Sequence, residues 1–169
     1  LRVRTMEDSV QVNADYRIPM ARISVKGKKY YIDNKLESFK YIPVDKLAVP
    51  DIIGTTLVSP GDSELQEDIA AAVQLIVLLR NMDKLLMEKN EDMPPLLKEI
   101  DRIDVSNLNG RKSSSKPHIV LYAKDETPIY WGLQLGKTTG QIEATDKQKL
   151  AALYKFYKEK KTLLSRVKH

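Results

Sequence analysis

The sequence contains no cysteine and only two histidines, His118 and His169. Without cysteine, neither a disulfide framework nor a thiolate metal site can form. The two histidines lie far apart in the chain and lack the spacing typical of a zinc site or a catalytic triad. His118 falls in a predicted strand, where a histidine is more often structural than a metal ligand. We therefore predict that the protein binds no metal.

Long apolar runs are also missing. The longest uncharged run in the helical part of the chain extends from Ile69 to Leu79. A membrane-spanning helix requires about 20 apolar residues, so this run predicts a core helix. The sequence begins with Leu1 rather than Met, and no apolar signal region follows it. We expect it to be part of a longer polypeptide whose targeting segment lies outside this sequence.

The motifs that bind nucleotide phosphates are incomplete. Gly136-Lys137-Thr138 resembles the end of a phosphate-binding loop, but only three residues separate Gly132 from Gly136, where the loop needs four. Trp131 stands where the first glycine should be, and the next predicted helix begins too late. A second segment, residues 110–114, has Val105 in place of that glycine. The sequence therefore predicts no nucleotide cofactor.

The sequence also gives little support for a catalytic site or for aromatic residues that stack on nucleic-acid bases. No serine lies in a G-x-S-x-G elbow. Asp101 and Asp104 could form an acid pair, although polar residues at a helix end and a strand start need no catalytic role. Four aromatic residues could stack on nucleic-acid bases, but aromatic pairs on facing strands more often pack in a core; they are Tyr30, Tyr31, Tyr130 and Trp131. We predict that the protein is not an enzyme.

The composition is that of an ordinary globular protein. Of its 169 residues, 42% are hydrophobic and 30% are charged, which suits one domain, or one domain with a fragment of another. The net charge of +5 is concentrated between Lys147 and His169, where eight basic residues accompany a single acid, Glu159. Such a segment can meet nucleic acid, an anionic membrane surface or an acidic partner. A solvated helix face is the simpler interpretation.

Alternating residues predict strands in the first part of the chain. Residues 21–25 alternate apolar and polar side chains, Gly27 supplies a turn, and residues 29–32 return as a second strand. Residues 1–5 and 10–16 predict a smaller hairpin ahead of them. This earlier hairpin is too small to form a domain alone.

A long helix is predicted after an irregular stretch. Residues 34–58 carry two prolines and a glycine and show no periodicity, which indicates an irregular connection. Residues 59–64 then resemble a helix start, with a capping box formed by Ser63 and Gln66. The helix should extend to about Lys89. Its apolar residues recur at helical spacing and should face the sheet: Leu65, Ile69, Ala72, Ile76, Leu79 and Leu86.

The second half of the chain predicts strands followed by a helix. Residues 103–108 indicate a strand, residues 111–115 the most flexible loop, and residues 118–123 with 128–131 a hairpin. Thr145, with Gln148 three residues later, caps the last helix, whose buried stripe comprises Leu150, Leu153, Tyr154 and Tyr157. We predict an α+β fold: a mainly antiparallel sheet with one long helix and a second, C-terminal helix packed on it.

Several short segments follow one another in an informative order. Residues 16–23 (YRIPMARI) precede residues 30–33 (YYID), and residues 49–54 (VPDIIG) precede the long helix. The remaining matches are Ile103–Val105, Ile119–Leu121, Trp131-Gly132, and Glu143 with Lys149–Leu153. Together these segments resemble the extracytoplasmic part of the FtsQ/DivIB family of bacterial cell-division proteins, in which a POTRA domain adjoins a β domain.

This resemblance implies a non-enzymatic divisome scaffold that recruits and links cell-division proteins at the septum. Residues 1–20 would be the C-terminal strands of a POTRA-like domain, and residues 21–169 an FtsQ-type β domain lacking its last strands. The protein would stand at the extracytoplasmic (periplasmic) face of the cytoplasmic membrane. A single N-terminal helix outside this sequence would anchor it there.

The resemblance also implies partners. These would be other divisome proteins, FtsB- and FtsL-like coiled-coil proteins, held by strand addition at the end of the β domain. No nucleic acid is among them. Arg102 matches a basic residue that contacts an acidic partner residue in the family, although a solvated charge is the simpler interpretation. The residues themselves leave open a second function, a basic α+β module that binds nucleic acid or another anionic polymer.

Overall fold

A computed structural model of the protein describes most of the chain. Within that part it contains a two-stranded sheet, a seven-stranded sheet and two α-helices. The prediction of an α+β fold with a long helix and a C-terminal helix is confirmed. The described residues are 2–6, 9–13, 17–44, 47, 49–56, 63–89, 93–137 and 143–165.

The small sheet is the hairpin predicted at the start of the chain. It consists of β1 (Arg2–Met6) and β2 (Ser9–Asn13), which pair antiparallel with Arg2 opposite Asn13. The predicted continuation of the second strand to Tyr16 lies outside the described residues. The assignment of residues 1–20 to a POTRA-like domain stays a prediction.

The main sheet contains seven strands in the order β5-β4-β3-β6-β7-β8-β9. Neighbouring strands are antiparallel except at β6, which is parallel to both β3 and β7. The sheet is therefore mixed but mostly antiparallel. Its strands are β3 (Ala21–Val25), β4 (Lys28–Ile32), β5 (Ser38–Lys40), β6 (Asp51–Ile53), β7 (Ile100–Asp104), β8 (Ile119–Ala123) and β9 (Pro128–Gly132).

The predicted hairpin at residues 21–32 is confirmed as β3 and β4. Lys26 and Gly27, the two central residues of its turn, both have positive φ, 49° and 76°. Two positive φ values match the twist of a two-residue hairpin, and glycine adopts such a value without strain.

The prediction that residues 34–58 form an irregular connection is wrong. This stretch contains β5 and β6, and β6 lies at the centre of the sheet. Each of these strands has only three residues, which is too short for an alternating pattern to stand out. Ile52 is buried and pairs with Ile23 on one side and Ile103 on the other, so tertiary contacts rather than local pattern place this strand.

The long helix is confirmed as α1 (Ser63–Glu88). Ile76 and Leu79 are fully buried, and Ile69 and Ala72 are buried beside them, as the periodicity predicts. The helix-start signals at residues 59–62 lie outside the described residues. So do the side chains of Ser63 and Leu65, which leaves the predicted capping box untested.

The strand predicted at residues 103–108 lies three to four residues earlier in the chain, so only residues 103 and 104 of the predicted range belong to it. A 3-10 helix, Leu96–Glu99, leads directly into β7, which begins at Ile100 and ends at Asp104. The Asp104 carboxylate then accepts a hydrogen bond from the backbone N–H of Ser106 at 2.7 Å. This side-chain bond turns the chain out of the sheet, and the local pattern did not reveal it.

The prediction that residues 111–115 are the most flexible segment is wrong. The Asn107 side chain, only 7% exposed, holds this loop. Its amide oxygen accepts hydrogen bonds from two backbone N–H groups, and its amide nitrogen lies within 3.0 Å of three carbonyl oxygens. The five partners belong to Lys112 (N–H), Ser113 (N–H and C=O), Lys116 (C=O) and Pro117 (C=O).

The C-terminal helix is confirmed as α2 (Asp146–Lys160), with the predicted capping box between Thr145 and Gln148. Tyr154 and Tyr157 are buried in the same core cluster as α1 and the sheet. The Tyr154 hydroxyl lies 2.9 Å from the carbonyl oxygen of Leu79 and thereby joins the two helices.

The core lies on one face of the main sheet. Aligned residues of the four central strands, Ile23, Ile52, Ile103 and Leu121, belong to the same buried cluster as the apolar residues of both helices. Both helices therefore cover this face. The opposite face, which we call the outer face, carries the polar positions of the same strands.

We expect Ile76→Ala to lower the free energy of unfolding by about 2–5 kcal/mol, through lost transfer energy and a residual cavity. Urea unfolding measures the change. Leu85→Ala, in the same helix but at a side chain that is 50% exposed, is the matched control and should cost much less. Equal effects of the two substitutions would contradict this assignment of the core face.

We expect Asn107→Ala to open the loop that Asn107 holds, because five backbone groups lose their partner at once. Trypsin should then cleave after Arg111 or Lys112 much faster than in the wild-type protein, as followed by mass spectrometry. Ser115→Ala is the control, since the Ser115 hydroxyl contacts only the Ser113 hydroxyl among the described residues. Unchanged cleavage of the Asn107 variant would show that other contacts order the loop.

Candidate interaction surface

Arg102 lies in β7 on the outer face of the sheet. The strand register places it between Asp51 of β6 and Tyr122 of β8. Its guanidinium carbon is 4.5 Å from the centre of the Tyr122 ring, and one of its nitrogens is 2.7 Å from a carboxylate oxygen of Glu126. The second terminal nitrogen contacts the other Glu126 oxygen, so the pair is bidentate. A further contact at 3.3 Å joins Arg102 to Asp101.

The charge of Arg102 is thus matched inside the chain. The hydrogen bond to Glu126 raises the pKa of Arg102, and in return lowers the pKa of Glu126. The Arg102 side chain is 22% exposed, whereas that of Glu126 is 68% exposed. An acidic group from outside would therefore have to compete with Glu126 for the guanidinium. The role of Arg102 in partner binding stays a prediction.

Arg102 belongs to a row of side chains that crosses six strands of the outer face. Within the row, the Arg22 nitrogen Nε is 2.6 Å from an oxygen of Asp51. Burial opposes the charge of Arg22, but the ion pair with Asp51 and the contact with the Tyr41 hydroxyl together outweigh it, and the pKa of Arg22 is raised. The row thus places three charged residues between two aromatic rings. From β4 to β9 it comprises Tyr31, Arg22, Asp51, Arg102, Tyr122 and Pro128.

An aromatic cluster covers the β4 end of this row. The ring centre of Tyr31 lies 5.6 Å from that of Phe39 and 5.0 Å from that of Tyr41. Tyr31 is buried, and burial raises the pKa of its hydroxyl, which lies 3.2 Å from the carbonyl oxygen of Ile42. The other end of the outer face, near β8 and β9, is more open: Tyr130 is 69% exposed.

The strand β9 is an edge of the sheet. Among the described strands it pairs only with β8. The N–H of Ala123 bonds the carbonyl of Thr127, and bonded and non-bonded pairs alternate from there along an antiparallel ladder. Tyr130, opposite Val120, is thus at a non-bonded position. Its backbone N–H and C=O point away from β8, where an added strand would meet them.

The chain after α2 passes beside the start of this edge strand. The carboxylate of Glu99 accepts hydrogen bonds from the Thr162 hydroxyl and the Leu163 backbone N–H. Two residues later, the N–H of Ser165 lies 3.2 Å from the hydroxyl of Thr127, directly before β9. These bonds fix the direction in which the chain leaves the second helix.

The loop that resembles a phosphate-binding motif is already occupied by side chains of the protein. Two of its backbone N–H groups, those of Leu133 and Gly136, donate to the carboxylates of Glu143 and Asp146 at 2.9 and 2.8 Å. The ammonium group of Lys137 lies 2.9 Å from the Asn109 amide oxygen. These donors are thus engaged within the chain. Thr138 lies outside the described residues.

The other candidate residues are not brought together. Tyr30 and Tyr31 lie on β4, whereas Tyr130 and Trp131 lie on β9, and four strands separate the two in the sheet. The Asp101 carboxylate contacts Arg102, whereas the Asp104 carboxylate accepts a hydrogen bond from the backbone N–H of Ser106, so the two acids serve different partners.

His118 donates its backbone N–H to the carbonyl of Gly132, as a strand residue would. Burial lowers the pKa of its imidazole, and the nitrogen Nδ1 has no hydrogen-bond partner among the described residues. His169 lies outside those residues.

Two lysines of the C-terminal segment lie in different surroundings. Lys149 turns inward: its side chain is only 12% exposed, and its ammonium nitrogen pairs with Glu143 and lies 5.6 Å from the centre of the Trp131 ring. The side chain of Lys155 is 78% exposed, and its ammonium nitrogen lies 4.0 Å from a carboxylate oxygen of Glu159. A partly buried ion pair and a solvated helix position thus account for two of the eight basic residues.

Sequence reasoning missed three carboxylates and their partners: two are buried, and the third, Glu143, is partly buried. Asp83 accepts hydrogen bonds from the N–H groups of Leu96 and Leu97 and from the Tyr154 hydroxyl, and so caps the 3-10 helix that precedes β7. Asp68, 1% exposed, binds Arg111 at 2.9 Å. Both aspartates interrupt the apolar stripe of α1, which is the signal that could have revealed them. Glu143 offers no such signal, because its partner Lys149 looks like an ordinary helix lysine.

We expect Glu143→Gln to lower the free energy of unfolding by about 1–3 kcal/mol at pH 7, because Lys149 then stays buried without its acid. Burial alone would raise the pKa of Glu143, but the bonds from Lys149 and from the Leu133 N–H outweigh it and hold that pKa below its ordinary value. The stabilisation is thus complete above the ordinary carboxyl pKa of about 4.3 and lost as the pH falls through the lower, folded value.

The difference between wild type and Glu143→Gln should therefore shrink as the pH is lowered below about 4, as measured by urea unfolding across pH 3 to 7. Glu159→Gln, which removes an exposed partner of Lys155, is the control and should change stability little at any pH. A Glu143 effect that does not depend on pH would show that packing, not charge, carries it.

Comparisons with known proteins add no relative. No described helix is long and apolar enough to cross a membrane. In the same part of the chain, no group of three or more acidic or histidine side chains is arranged to hold a metal ion. Searches against protein-family models, curated proteins and solved structures find no match to this chain.

Proposed function

We propose that the protein is a non-enzymatic divisome scaffold that resembles FtsQ/DivIB and links cell-division proteins at the septum through protein–protein contacts. Its partners would be FtsB- and FtsL-like coiled-coil proteins. In this proposal an N-terminal membrane helix outside this sequence anchors the chain, and the β domain stands on the extracytoplasmic side.

The observation that carries the proposal is the open edge of β9. Its outward backbone groups have no partner strand among the described residues and can accept a further strand, which is the basis of binding by strand addition. The bonds of Thr162, Leu163 and Ser165 lead the chain towards that same edge. A strand supplied from beyond α2, and then a strand from a partner, would extend the sheet in the order that the family resemblance implies.

The site chemistry also favours a binding role over catalysis. Charged groups of the outer face are matched in bidentate or short ion pairs, and the N–H groups of the glycine-containing loop are bonded to carboxylates. A catalytic site generally keeps a nucleophile, a base or a set of donors available to substrate. The alternative, binding of an anionic polymer, has no comparable support in the described part of the chain, because the aromatic residues lie on separate strands, β4 and β9, and Lys149 is engaged with Glu143.

We expect Arg102→Glu, in the complete gene product, to weaken binding of a peptide from the cognate FtsB-like protein, because a like charge then faces an acidic partner residue. Glu126→Gln should have the opposite effect and strengthen binding, since it frees Arg102 from its internal acid. Titration calorimetry at low and at physiological salt measures both changes.

Lys155→Glu, a change of the same charge on the exposed face of α2, is the matched control and should leave affinity nearly unchanged. The 169-residue chain alone should bind the peptide weakly, because the strands that receive the partner would lie downstream. Two results would place the interface elsewhere: equal and tight binding by the 169-residue chain and the complete gene product, or weaker binding after Glu126→Gln.

A further inference from the structure

A groove lies along one side of α1, away from β9. Its first part, a cleft of about 940 Å³, is bounded by helix residues, by the segment that enters β3 and by the turn after β4. Its second part, of about 520 Å³, lies between the last turns of α1 and the 3-10 helix at residues 96–99. Arg80 lines both parts, so they meet at its side chain.

Arg80 has no acidic partner among the described residues. One terminal nitrogen is 3.0 Å from the Met20 sulfur and the other is 3.4 Å from the carbonyl oxygen of Pro19. A guanidinium has five N–H groups, and these two contacts use weak or long acceptors. Burial lowers the pKa of Arg80, with no opposing contribution from a carboxylate. A half-buried cation without a carboxylate partner lowers the stability of the free protein.

The acidic residues that line the groove are already engaged. One Asp33 carboxylate oxygen accepts the backbone N–H groups of Lys35 and Glu37, and Asp83 accepts those of the 3-10 helix. Glu37 pairs with Arg17. None of these carboxylates turns to Arg80. Among the described lining residues, Arg80 is therefore a partly buried cation without an ion-pair partner, and the exposed Lys35 and Lys98 add positive charge beside it.

Apolar surface lies on both sides of this charge. Ile18 is 64% exposed at one end of the groove and Met87 is 55% exposed at the other. The helix residues that line it, from Val77 to Glu88, span about 16 Å at 1.5 Å per residue. That length matches about five residues of extended peptide.

We propose that this groove binds an extended acidic segment of a partner protein, with one carboxylate on Arg80 and an apolar side chain at either end. In an extended segment, residues two apart point the same way, so an apolar–x–acid–x–apolar pattern would present all three groups to the groove. The carboxylate would supply the bidentate acceptor that a guanidinium fits best. The proposal is independent of the proposed function, because it concerns the helical side of the molecule and not the β9 edge.

The test uses the 169-residue protein and the peptide acetyl-Leu-Ser-Glu-Ser-Leu-amide, followed by nuclear magnetic resonance of the backbone amides. Saturable shifts should appear at Val77, Arg80, Asn81 and residues 33–37, with a dissociation constant on the order of 1 mM. The Gln analogue and acetyl-Ser-Ser-Glu-Ser-Ser-amide should each bind at least several-fold more weakly. Inorganic phosphate should not reproduce the affinity of the first peptide.

Arg80→Met should weaken binding of the first peptide about tenfold, since the charged hydrogen bonds are lost while the side-chain stem remains. Its thermal midpoint without peptide should be equal to or above that of wild type, because the uncompensated cation is gone. Lys155→Met, the same charge change on α2, should alter neither property.

Four results would overturn the proposal. They are no saturation at about 10 mM peptide, shifts confined to the outer face or to β9, equal affinity of the Glu and Gln peptides, and a large fall in thermal midpoint for Arg80→Met with unchanged binding. The last would assign Arg80 a purely structural role at Pro19 and Met20.

Discussion

The parallel pairing of β6 with β7 is the constraint on which the rest of this structure depends. Two adjacent parallel strands that follow one another in the chain need a crossover that returns to the starting end of the sheet. The helix α1 supplies that crossover. Because it packs across the sheet, Ile76 and Leu79 are buried against the central strands, and the core forms on one face only. The position of β7 beside β6, and parallel to it, depends on this connection.

A one-sided core has a consequence for function. The outer face keeps its polar residues, and it is stabilised by ion pairs and ring contacts between neighbouring strands instead of by a second helix layer. The two helices lie on the core face and therefore do not cover the edges of the sheet. The β9 edge, which pairs only with β8 among the described strands, and the matched charges around Arg102 are the features on which the proposed scaffold role rests.

Buried carboxylates join the elements where backbone pairing cannot. Asp83 ties α1 to the 3-10 helix and to α2, and Asp68 ties it to Arg111 and, through bonds at 2.8 and 3.1 Å, to Thr56. A buried charge requires such full satisfaction to be tolerated. Glu143, a further carboxylate, packs closely against the backbone of Gly132. A Cβ at position 132, where φ is +94°, would collide with an oxygen of Glu143. Arg80 departs from this rule, because its polar contacts among the described residues are a sulfur and a carbonyl oxygen.

The sequence by itself determined the elements whose residues repeat or cap locally. The β3–β4 hairpin, the apolar stripe of α1, the β8–β9 hairpin and the Thr145 capping box all follow from patterns within a few residues of one another, and the α+β class follows from their order. These features were predictable because periodicity and caps act through neighbours in the chain.

Only the tertiary structure decided the features that depend on distant partners. The three residues of β6 become a central strand because Ile23 and Ile103 flank Ile52, and the loop after Asn107 becomes ordered because one amide reaches five backbone groups. Arg102 was singled out by resemblance, but its pairing with Glu126 could not be read from residues 24 positions apart. Side-chain bonds and sheet neighbours of this kind form only once the chain has folded, so local pattern carries no record of them.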